Sequence, residues 1–323
     1  MLWPYLVPPL LIGASIRTYN FFEGERLVQD LWREYRLAQA DIAALDRAWA
    51  ARADRSEMIV SLTTIPSRIG MIADTLKSLL TQTRPPKEIR LNLPAFSRRE
   101  NRPYDVPDWL RDLRAVRLVP CEDYGPATKL LPALADAAPD QAILVVDDDR
   151  IYPVSLIAEL EKASRAQPNA ALGLGGWIAP PDLTDRPTTI LSNLLMRPPA
   201  PIRSARIGRP VAVDILQGVA GYLVRPDFFD LAAVTNYAAA PPAARFVDDV
   251  WISAHCRADK FVIPAAPNFP PKRHLAQYKR SSLGWINRGS GGDENRNNSI
   301  MLRYFAGAWK VGGPAAESRP LHA

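Results

Sequence analysis

The sequence predicts an α/β fold with a Rossmann-like, mostly parallel sheet flanked by helices, preceded by an N-terminal helical extension. From Met58 onward, strand-like apolar runs alternate with helical segments. That alternation is typical of βαβ units with right-handed crossovers. Before Met58, apolar residues recur every three or four positions, as on one face of a helix. We therefore expect an N-terminal arm and long helix over 1–56, a catalytic-type α/β domain over 57–270, and a C-terminal loop, helix and tail over 271–323.

The N-terminal arm, residues 1–16, is apolar and contains three prolines. It is shorter than the ~20 residues of a membrane-spanning helix. It also lacks the basic start of a secretory signal. We expect this arm to pack against the protein or to touch a membrane peripherally.

Residues 23–54 carry an apolar stripe of about three heptads. Its members are Leu27, Leu31, Tyr35, Ala38, Ile42, Leu45 and Trp49. Two interpretations stay open for this helix. It packs against the neighbouring domain, or it joins two copies of the chain in a homodimer.

The elements of the α/β region follow from apolar runs, prolines and glycines. The predicted strands are 58–64, 88–93, 116–120, 142–146, 171–178, 211–225 and 261–265. The predicted helices are 67–82, 127–135, 153–165, 246–257 and 297–310. The segment 179–210 is rich in proline and arginine, and we expect a long surface excursion of the kind that forms lids or substrate loops.

Composition limits the classes of partner and compartment. The chain of 323 residues has a net charge of +6, which suits phosphate-bearing ligands, an anionic membrane surface or nucleic acid equally. No further feature points to nucleic acid, so we assign none. The two cysteines, Cys121 and Cys256, have no zinc-type spacing and form no disulfide framework. A reducing, cytoplasmic location is the simpler interpretation, with membrane association as an addition to it.

Three acids end the most apolar strand. Residues 143–146 are Ile-Leu-Val-Val, and Asp147, Asp148 and Asp149 follow directly. Alternation along an extended chain points Asp147 and Asp149 the same way, where they repel unless a cation lies between them. Ligands bind at the carboxyl ends of such strands, and carboxylates there suit Mg²⁺ or Mn²⁺ together with substrate phosphates. The alternative is a solvated acidic turn before the helix near Pro153.

Other catalytic motifs are missing from the sequence. It contains no GxxxxGK[ST] phosphate loop, no GxGxxG turn between strand and helix, and no GxSxG nucleophile motif. Phosphate binding would therefore have to come from a metal.

Five motifs follow one another along the chain. They are Val60–Arg68, Thr75–Thr83, Val145–Asp149, Gly218–Tyr222 and Val247–Trp251. In this order they resemble the GT-A-type, family-2-like glycosyltransferases over roughly residues 58–270. The resemblance implies a GT-A-like fold and, at the end of the first strand, a nucleotide pocket lined by Thr63, Thr64 and Arg68. Capping of the next helix by Ser67 is the alternative role for that turn.

The resemblance also implies roles in the segment after the third strand. An acid there often holds the nucleotide base, and in this chain it is Asp123. Gly125 and Pro126 make a tight turn, and Lys129 could reach a phosphate from the following helix. A plain solvated loop is the alternative.

The family's metal motif corresponds to Asp147–Asp149. By that resemblance Asp149 binds Mn²⁺ or Mg²⁺ directly, Asp147 binds ribose or metal, and Asp148 is the weakest candidate for donor binding. His274 is placed to be a late metal ligand, although a histidine in a basic run is more often simply exposed.

The last two motifs concern the donor sugar and the base. Gly218 and Gly221 resemble the small-residue turn that lets the backbone approach the sugar, although strand bulges use glycine too. By resemblance Asp249 is the general base and Asp248 orients it or binds the acceptor. The usual family pair is Glu-Asp, so Asp-Asp leaves open which one is the base. The alternative for both acids is stabilisation of the helix amino terminus.

The resemblance thus implies a metal-dependent glycosyltransferase. It would move a sugar from a nucleotide-diphospho-sugar to the hydroxyl of a glycan, lipid-linked or small-molecule acceptor, with inversion. Two rivals stay open. One is a metal-dependent nucleotidyltransferase using the same acids. The other is a non-catalytic glycan-binding or scaffold protein on the same fold.

Overall fold

A computed structural model of the protein describes residues 3–271, 283, 287 and 291–314. Its α-helices are α1 (Trp3–Glu23), α2 (Leu27–Gln39), α3 (Ile42–Ala51), α4 (Ala73–Leu80), α5 (Asp108–Arg111), α6 (Leu131–Asp136), α7 (Leu156–Ala166), α8 (Ile190–Leu195), α9 (Leu231–Val234), α10 (Asp248–His255) and α11 (Asn297–Tyr304). Its strands are β1 (Ile59–Thr63), β2 (Glu88–Pro94), β3 (Phe96–Ser97), β4 (Arg102–Pro103), β5 (Val116–Cys121), β6 (Ile143–Val145), β7 (Ala170–Gly173), β8 (Gly175–Trp177), β9 (Ile202–Arg203), β10 (Val211–Val213), β11 (Ile215–Leu216), β12 (Tyr222–Val224) and β13 (Asp259–Val262).

The central sheet has eight strands in the order β10-β13-β7-β12-β6-β1-β2-β5. Strands β6, β1, β2 and β5 pair in parallel, as do β7 and β13. Strand β12 is antiparallel to both neighbours, and β10 is antiparallel at the edge. The predicted mostly parallel α/β sheet flanked by helices, with an N-terminal helical extension, is confirmed.

Each face of the sheet carries its own hydrophobic core. Along β6, Ile143 and Val145 pack into one core together with Trp251 of α10. Leu144 and Val146 pack into the other core, on the opposite face. Strand β6 is therefore buried on both faces, and its end is a rigid support for the three acids that follow.

The N-terminal extension forms three helices. The stretch predicted as one long helix divides into α2 and α3, because the Asp41 side chain accepts hydrogen bonds from the first amides of α3 and so starts a new helix. Trp49 is buried against the core of the α/β domain, whereas Leu31 and Tyr35 of α2 are exposed. Leu37 of α2 is buried, however, and its carbonyl accepts a 2.8 Å hydrogen bond from Lys77 Nζ. Both helices therefore pack against the α/β domain, and dimerisation through the exposed side of α2 stays a prediction.

Two predicted strands are each divided. The run 171–178 becomes β7 in the central sheet and β8 in a three-stranded sheet with β11 and β9. The run 211–225 is interrupted by a 3₁₀ turn over Gly218–Ala220. The excursion at 179–210 contains α8, which Thr189 caps. Within the described part of the chain, no helix has the length and apolar character to cross a membrane.

Candidate active site

A cavity of about 550 Å³ lies where β1, β5 and β6 end. Carboxyl ends of parallel strands are where open α/β sheets bind ligands, and this volume suits a small molecule. The acidic residues that line it are Asp123, Asp147, Asp148, Asp149, Asp248 and Asp249. The basic ones are Arg68, Arg98, Arg99, Lys129, Arg150 and Arg245. The cavity thus brings the acids after β6 together with those that begin α10.

Lys129 lies at the centre of the acidic side chains. Its Nζ is 2.8 Å from Asp147 Oδ1, 2.8 Å from Asp248 Oδ2 and 3.9 Å from Asp249 Oδ1. Burial alone would lower the pKa of Lys129, but the three carboxylates outweigh it and raise that pKa well above its usual value. The ammonium therefore stays charged and links the end of β6 to the start of α10.

Strand β1 holds the turn that contains Lys129. The Lys129 carbonyl accepts a hydrogen bond of 2.7 Å from the Ser61 hydroxyl of β1. The Lys129 side chain itself is only 7% exposed. Lys129 lines the cavity, where its ammonium is paired with carboxylates, and the expected contact of Lys129 with a phosphate stays a prediction.

Gly218 leaves the space that the Lys129 ammonium occupies. A Cβ atom at Gly218 would lie 2.1 Å from Lys129 Nζ, so any side chain there would displace the ammonium from its carboxylates. Gly221 has φ of +89° and faces the Tyr152 ring. Neither glycine is among the residues that line the cavity. Their neighbours Gln217 and Val219 do line it, and contact of this turn with a donor sugar stays a prediction.

Asp248 and Asp249 differ in their surroundings. The Asp248 side chain is 9% exposed and pairs with Lys129. The Asp249 side chain is 28% exposed to the cavity, and its Oδ1 accepts a 2.9 Å hydrogen bond from the Gly218 amide. Burial raises the pKa of Asp249 to about 8; repulsion from Asp248 adds to the rise and Lys129 opposes it. Asp249 is thus the more exposed of these two acids, and its pKa lies closer to neutral pH than that of an ordinary carboxylate.

Asp148 supports the site from within the protein. Its side chain is 8% exposed; Oδ1 lies 2.8 Å from Arg68 Nη1, and Oδ2 accepts a 2.5 Å hydrogen bond from the Thr64 hydroxyl. Burial raises the pKa of Asp148 to about 6, and Arg68 counteracts that rise. Because both carboxylate oxygens of Asp148 are bonded to other side chains of the protein, we infer that Asp148 holds Arg68 in place.

Arg68 also reaches the next acid. Its Nη1 is 3.2 Å from Asp149 Oδ2, so one guanidinium contacts two of the three acids after β6. Burial lowers the pKa of Arg68, but Asp148 and Asp149 outweigh it, and the net shift is upward. Arg68 therefore presents a permanent positive charge beside Asp149.

The hydroxyls at the end of β1 are already bonded. Thr63 Oγ1 donates to the Asn92 carbonyl at 2.8 Å, and Thr64 Oγ1 donates to Asp148. Both threonines line the cavity, where their hydroxyls could still accept a hydrogen bond. Ser67 donates to Glu100 through its hydroxyl and its amide, and no side-chain cap begins the 3₁₀ turn Ile69–Met71 or α4.

Asp123 organises the loop after β5. Its Oδ1 accepts from the Gly125 amide and its Oδ2 from the Arg98 amide, each at 2.7 Å. Gly125 has φ of +65°, and a Cβ there would meet the Arg245 carbonyl at 2.6 Å. The predicted tight turn is present, and through it Asp123 positions the wall of the cavity.

A group of arginines at the cavity was missed in the sequence. Arg98 and Arg99 follow β3, and Arg245 precedes α10 with its guanidinium 5.1 Å from the centre of the Tyr237 ring. Burial lowers the pKa of Arg99, with Arg68 adding to that effect. The only local signal was the Arg-Arg pair after a predicted strand. Guanidinium groups at a cavity wall suit phosphate oxygens.

The donor set for a divalent cation is small. In the described ranges, no three His, Cys, Asp or Glu side chains are grouped to hold a metal ion. His274 lies outside those ranges. Asp147 and Asp149 are each 27% exposed at the cavity. Each of them already pairs with a cationic side chain, Asp147 with Lys129 and Asp149 with Arg68. Two carboxylates are enough for Mg²⁺ or Mn²⁺ when water and substrate phosphates supply the remaining ligands, so a metal ion at this pair stays a prediction.

Comparison with known proteins gives distant structural similarity and no sequence match. No protein-family model matches the chain, and no curated protein matches its sequence. S. aureus TarS 1-349 in complex with UDP-GlcNAc is 12% identical, with a TM-score of 0.42 over 78% of this chain and 72% of that one. The mannosyltransferase PcManGT from Pyrobaculum calidifontis in complex with GDP-Man and Mn²⁺ is 18% identical, with a TM-score of 0.38 over 91% and 81%.

A protein described by a different activity is as similar. The 4-diphosphocytidyl-2C-methyl-D-erythritol synthase is 15% identical, with a TM-score of 0.40 over 71% of this chain and 99% of its own. Identities this low, with TM-scores below 0.5, carry no inference about the reaction. The function is therefore argued from the cavity itself.

Proposed function

We propose that this protein is a glycosyltransferase that moves a sugar from a nucleotide-diphospho-sugar to an acceptor hydroxyl. The observation that carries the proposal is the meeting of two acid pairs in one cavity. Asp147 and Asp149 come from the end of β6, and Asp248 and Asp249 from the start of α10. The order of these motifs is the one that resembles GT-A-type, family-2-like enzymes.

Asp249 is the base in this proposal. It is the more exposed of the two helix acids, and its raised pKa places its proton exchange closer to neutral pH than that of an ordinary carboxylate. It would accept the proton of the acceptor hydroxyl as that oxygen attacks the anomeric carbon. Attack opposite the leaving diphosphate inverts the configuration at that carbon.

Asp248 and Lys129 position the base. Asp248 is the residue next to Asp249 and is held by the Lys129 ammonium at 2.8 Å. Because Lys129 also holds Asp147, one buried charge fixes the acids from β6 relative to those from α10. A fixed geometry of this kind reduces the reorganisation needed in the transition state.

The positive charges bind the diphosphate. Arg68, Arg98, Arg99 and Arg245 line the cavity, and guanidinium groups bind phosphate oxygens with paired hydrogen bonds. Asp149 and Asp147 would hold Mg²⁺ or Mn²⁺, which when bound would supply further positive charge to the leaving diphosphate. Asp123 shapes the loop at which the base of the nucleotide would lie.

Nucleotide binding tests the proposal without knowledge of the acceptor. We would measure thermal shifts with UDP, GDP, CDP and dTDP, each with and without Mn²⁺. A ligand at about a hundred times its dissociation constant adds ~2.7 kcal/mol to the free energy of unfolding. A manganese-dependent shift with one nucleotide supports the proposal. No shift with any of them contradicts it and favours the scaffold alternative.

Product analysis separates the two enzymatic alternatives. A glycosyltransferase releases a nucleoside diphosphate from its sugar donor. A nucleotidyltransferase that used the same acids would release pyrophosphate from a nucleoside triphosphate. Pyrophosphate as the product would overturn the proposal in favour of nucleotidyl transfer.

A further inference from the structure

Helix α1 exposes apolar side chains on every side. Residues 8–15 are all exposed, and no charged residue occurs between positions 3 and 16. Leu10, Leu11 and Ile12 are 68%, 62% and 61% exposed. Consecutive helical residues are ~100° apart, so these three side chains point in different directions. A partner that covered one face of α1 would leave the others in water.

Helix α8 presents a second apolar surface in the excursion between β8 and β9. Ile190, Leu191, Leu194 and Leu195 are 78%, 64%, 47% and 51% exposed. Their spacing places them on one side of the helix. Single exposed apolar residues are ordinary on a protein surface, but four exposed apolar residues in one six-residue helix form a patch.

Arg206 joins the two helices. Its Nη1 donates to the Asn193 carbonyl at 2.7 Å and its Nη2 to the Leu194 carbonyl at 2.9 Å, both in α8. Its guanidinium also lies 4.3 Å from the ring centre of Phe21, which is 46% exposed near the end of α1. The C-terminal end of α1 therefore lies beside α8, and we call the exposed apolar residues of the two helices together the α1–α8 surface.

The charge around the α1–α8 surface is mainly positive, and Glu23 at the end of α1 is paired with Arg203. Residues 186–213 contain five arginines and no lysine, aspartate or glutamate. The only charged residue between positions 3 and 22 is Arg17. Arg17, Arg197 and Arg209 are exposed, and among the described residues none of these three forms an ion pair. Exposed apolar side chains with a basic surround suit an anionic lipid surface.

We propose that the α1–α8 surface binds an anionic lipid bilayer, with α1 embedded at the level of the headgroups and α8 contacting it from the side. Lipid can contact α1 on several sides at once, whereas a folded protein partner would cover only one face of α1. The arginines would then lie at the lipid phosphates. This proposal does not depend on the glycosyltransferase assignment, because lipid binding is measured without turnover.

Vesicle co-sedimentation of the full chain tests the proposal. The probes are vesicles of phosphatidylcholine alone and of phosphatidylcholine mixed with phosphatidylglycerol. We expect the protein to sediment with the mixed vesicles and to be released by salt, because electrostatic attraction to the surface is screened. Failure to bind the mixed vesicles, or equal binding to both kinds, would overturn the proposal.

Paired variants locate the contact. Leu191→Glu/Leu194→Glu in α8 and, separately, Leu10→Glu/Leu11→Glu in α1 should each weaken binding by about tenfold or more, since they place charge at the lipid boundary. Both pairs are exposed, so the fold should keep its thermal stability. The matched control is Leu231→Glu, since Leu231 is 41% exposed in α9, which contacts α6 and α10. If the paired variants bind the mixed vesicles as tightly as Leu231→Glu does, the α1–α8 surface is not the lipid-binding surface.

The mass of the lipid-free protein separates the bilayer from a second copy of the chain. We expect the mass in sedimentation velocity to be the same for the wild type and for Leu191→Glu/Leu194→Glu. A dimer that Leu191→Glu/Leu194→Glu dissociates would assign the α1–α8 surface to self-association and overturn the lipid proposal.

Discussion

Replacement of Lys129 by methionine removes the charge that holds three carboxylates while keeping most of the side-chain volume. Asp147 and Asp248 each lie 2.8 Å from Lys129 Nζ. Removal of one partner from a buried ion pair costs about 3–5 kcal/mol. Asp248 is 9% exposed and cannot be hydrated well, whereas Asp147 opens to the cavity at 27%. We therefore expect the low end, ~3 kcal/mol, which for a domain of this size lowers the melting temperature by roughly 6 °C.

The matched control is Lys260→Met. Lys260 is also buried, but its Nζ donates to the carbonyls of Cys256 at 3.1 Å and Ala258 at 3.4 Å. Within the described ranges it forms no ion pair. Loss of neutral hydrogen bonds should cost about 1–2 kcal/mol.

Thermal unfolding of both variants and of Lys129→Met/Asp248→Asn completes the test. In the double variant the buried carboxylate carries no charge, so part of the lost stability should return. Lys129→Met no less stable than Lys260→Met would show that Lys129 does not stabilise the buried carboxylates. The same conclusion would follow if the double variant is no more stable than Lys129→Met.

The other predictions concern the acids and the glycine around Lys129. Asp149→Ala should lose the manganese-dependent thermal shift with nucleotide, while Asp140→Ala, exposed before the same strand, should keep it. Asp249→Asn should lower turnover by about 10²–10⁴-fold with nucleotide affinity retained, because only proton transfer is removed. Since the base acts deprotonated and burial raises the pKa of Asp249 to about 8, wild-type turnover should increase from about pH 6 to about pH 9. A similar pH profile in residually active Asp249→Asn would contradict that assignment. Gly218→Ala should destabilise the protein by about 1–3 kcal/mol in thermal unfolding, because its Cβ meets Lys129; a melting temperature equal to wild type would contradict this.

The fold class could be predicted because its signals are local. In β6, apolar residues face both cores in alternation, so the strand's burial follows from a few adjacent residues. The division of 23–54 into α2 and α3 was missed although Asp41 is a good cap, because the apolar stripe continued through it. Here the hydrogen bonds of a single side chain outweighed a periodic pattern.

The interior of the cavity could not be predicted because its contacts join distant parts of the chain. Lys129 follows a Gly-Pro turn, where a lysine is ordinarily solvated, and only the fold brings it to Asp147 and Asp248. Nor does the sequence indicate that Gly218 is needed for this lysine rather than for a ligand. Asp147–Asp149 were predicted as site residues because ligands bind at the strand ends of such sheets, whereas Asp248 and Asp249 came from the family resemblance.

Donor turnover tests the central claim most directly. Purified protein would be incubated with Mn²⁺ and, one at a time, UDP-, GDP-, CDP- and dTDP-sugars, with water as the acceptor, and the released nucleotides would be separated by chromatography. The proposed function predicts that one donor yields its nucleoside diphosphate and that Asp249→Asn lowers the release by about 10²–10⁴-fold. No nucleoside diphosphate from any donor, or equal release by the variant, would contradict it.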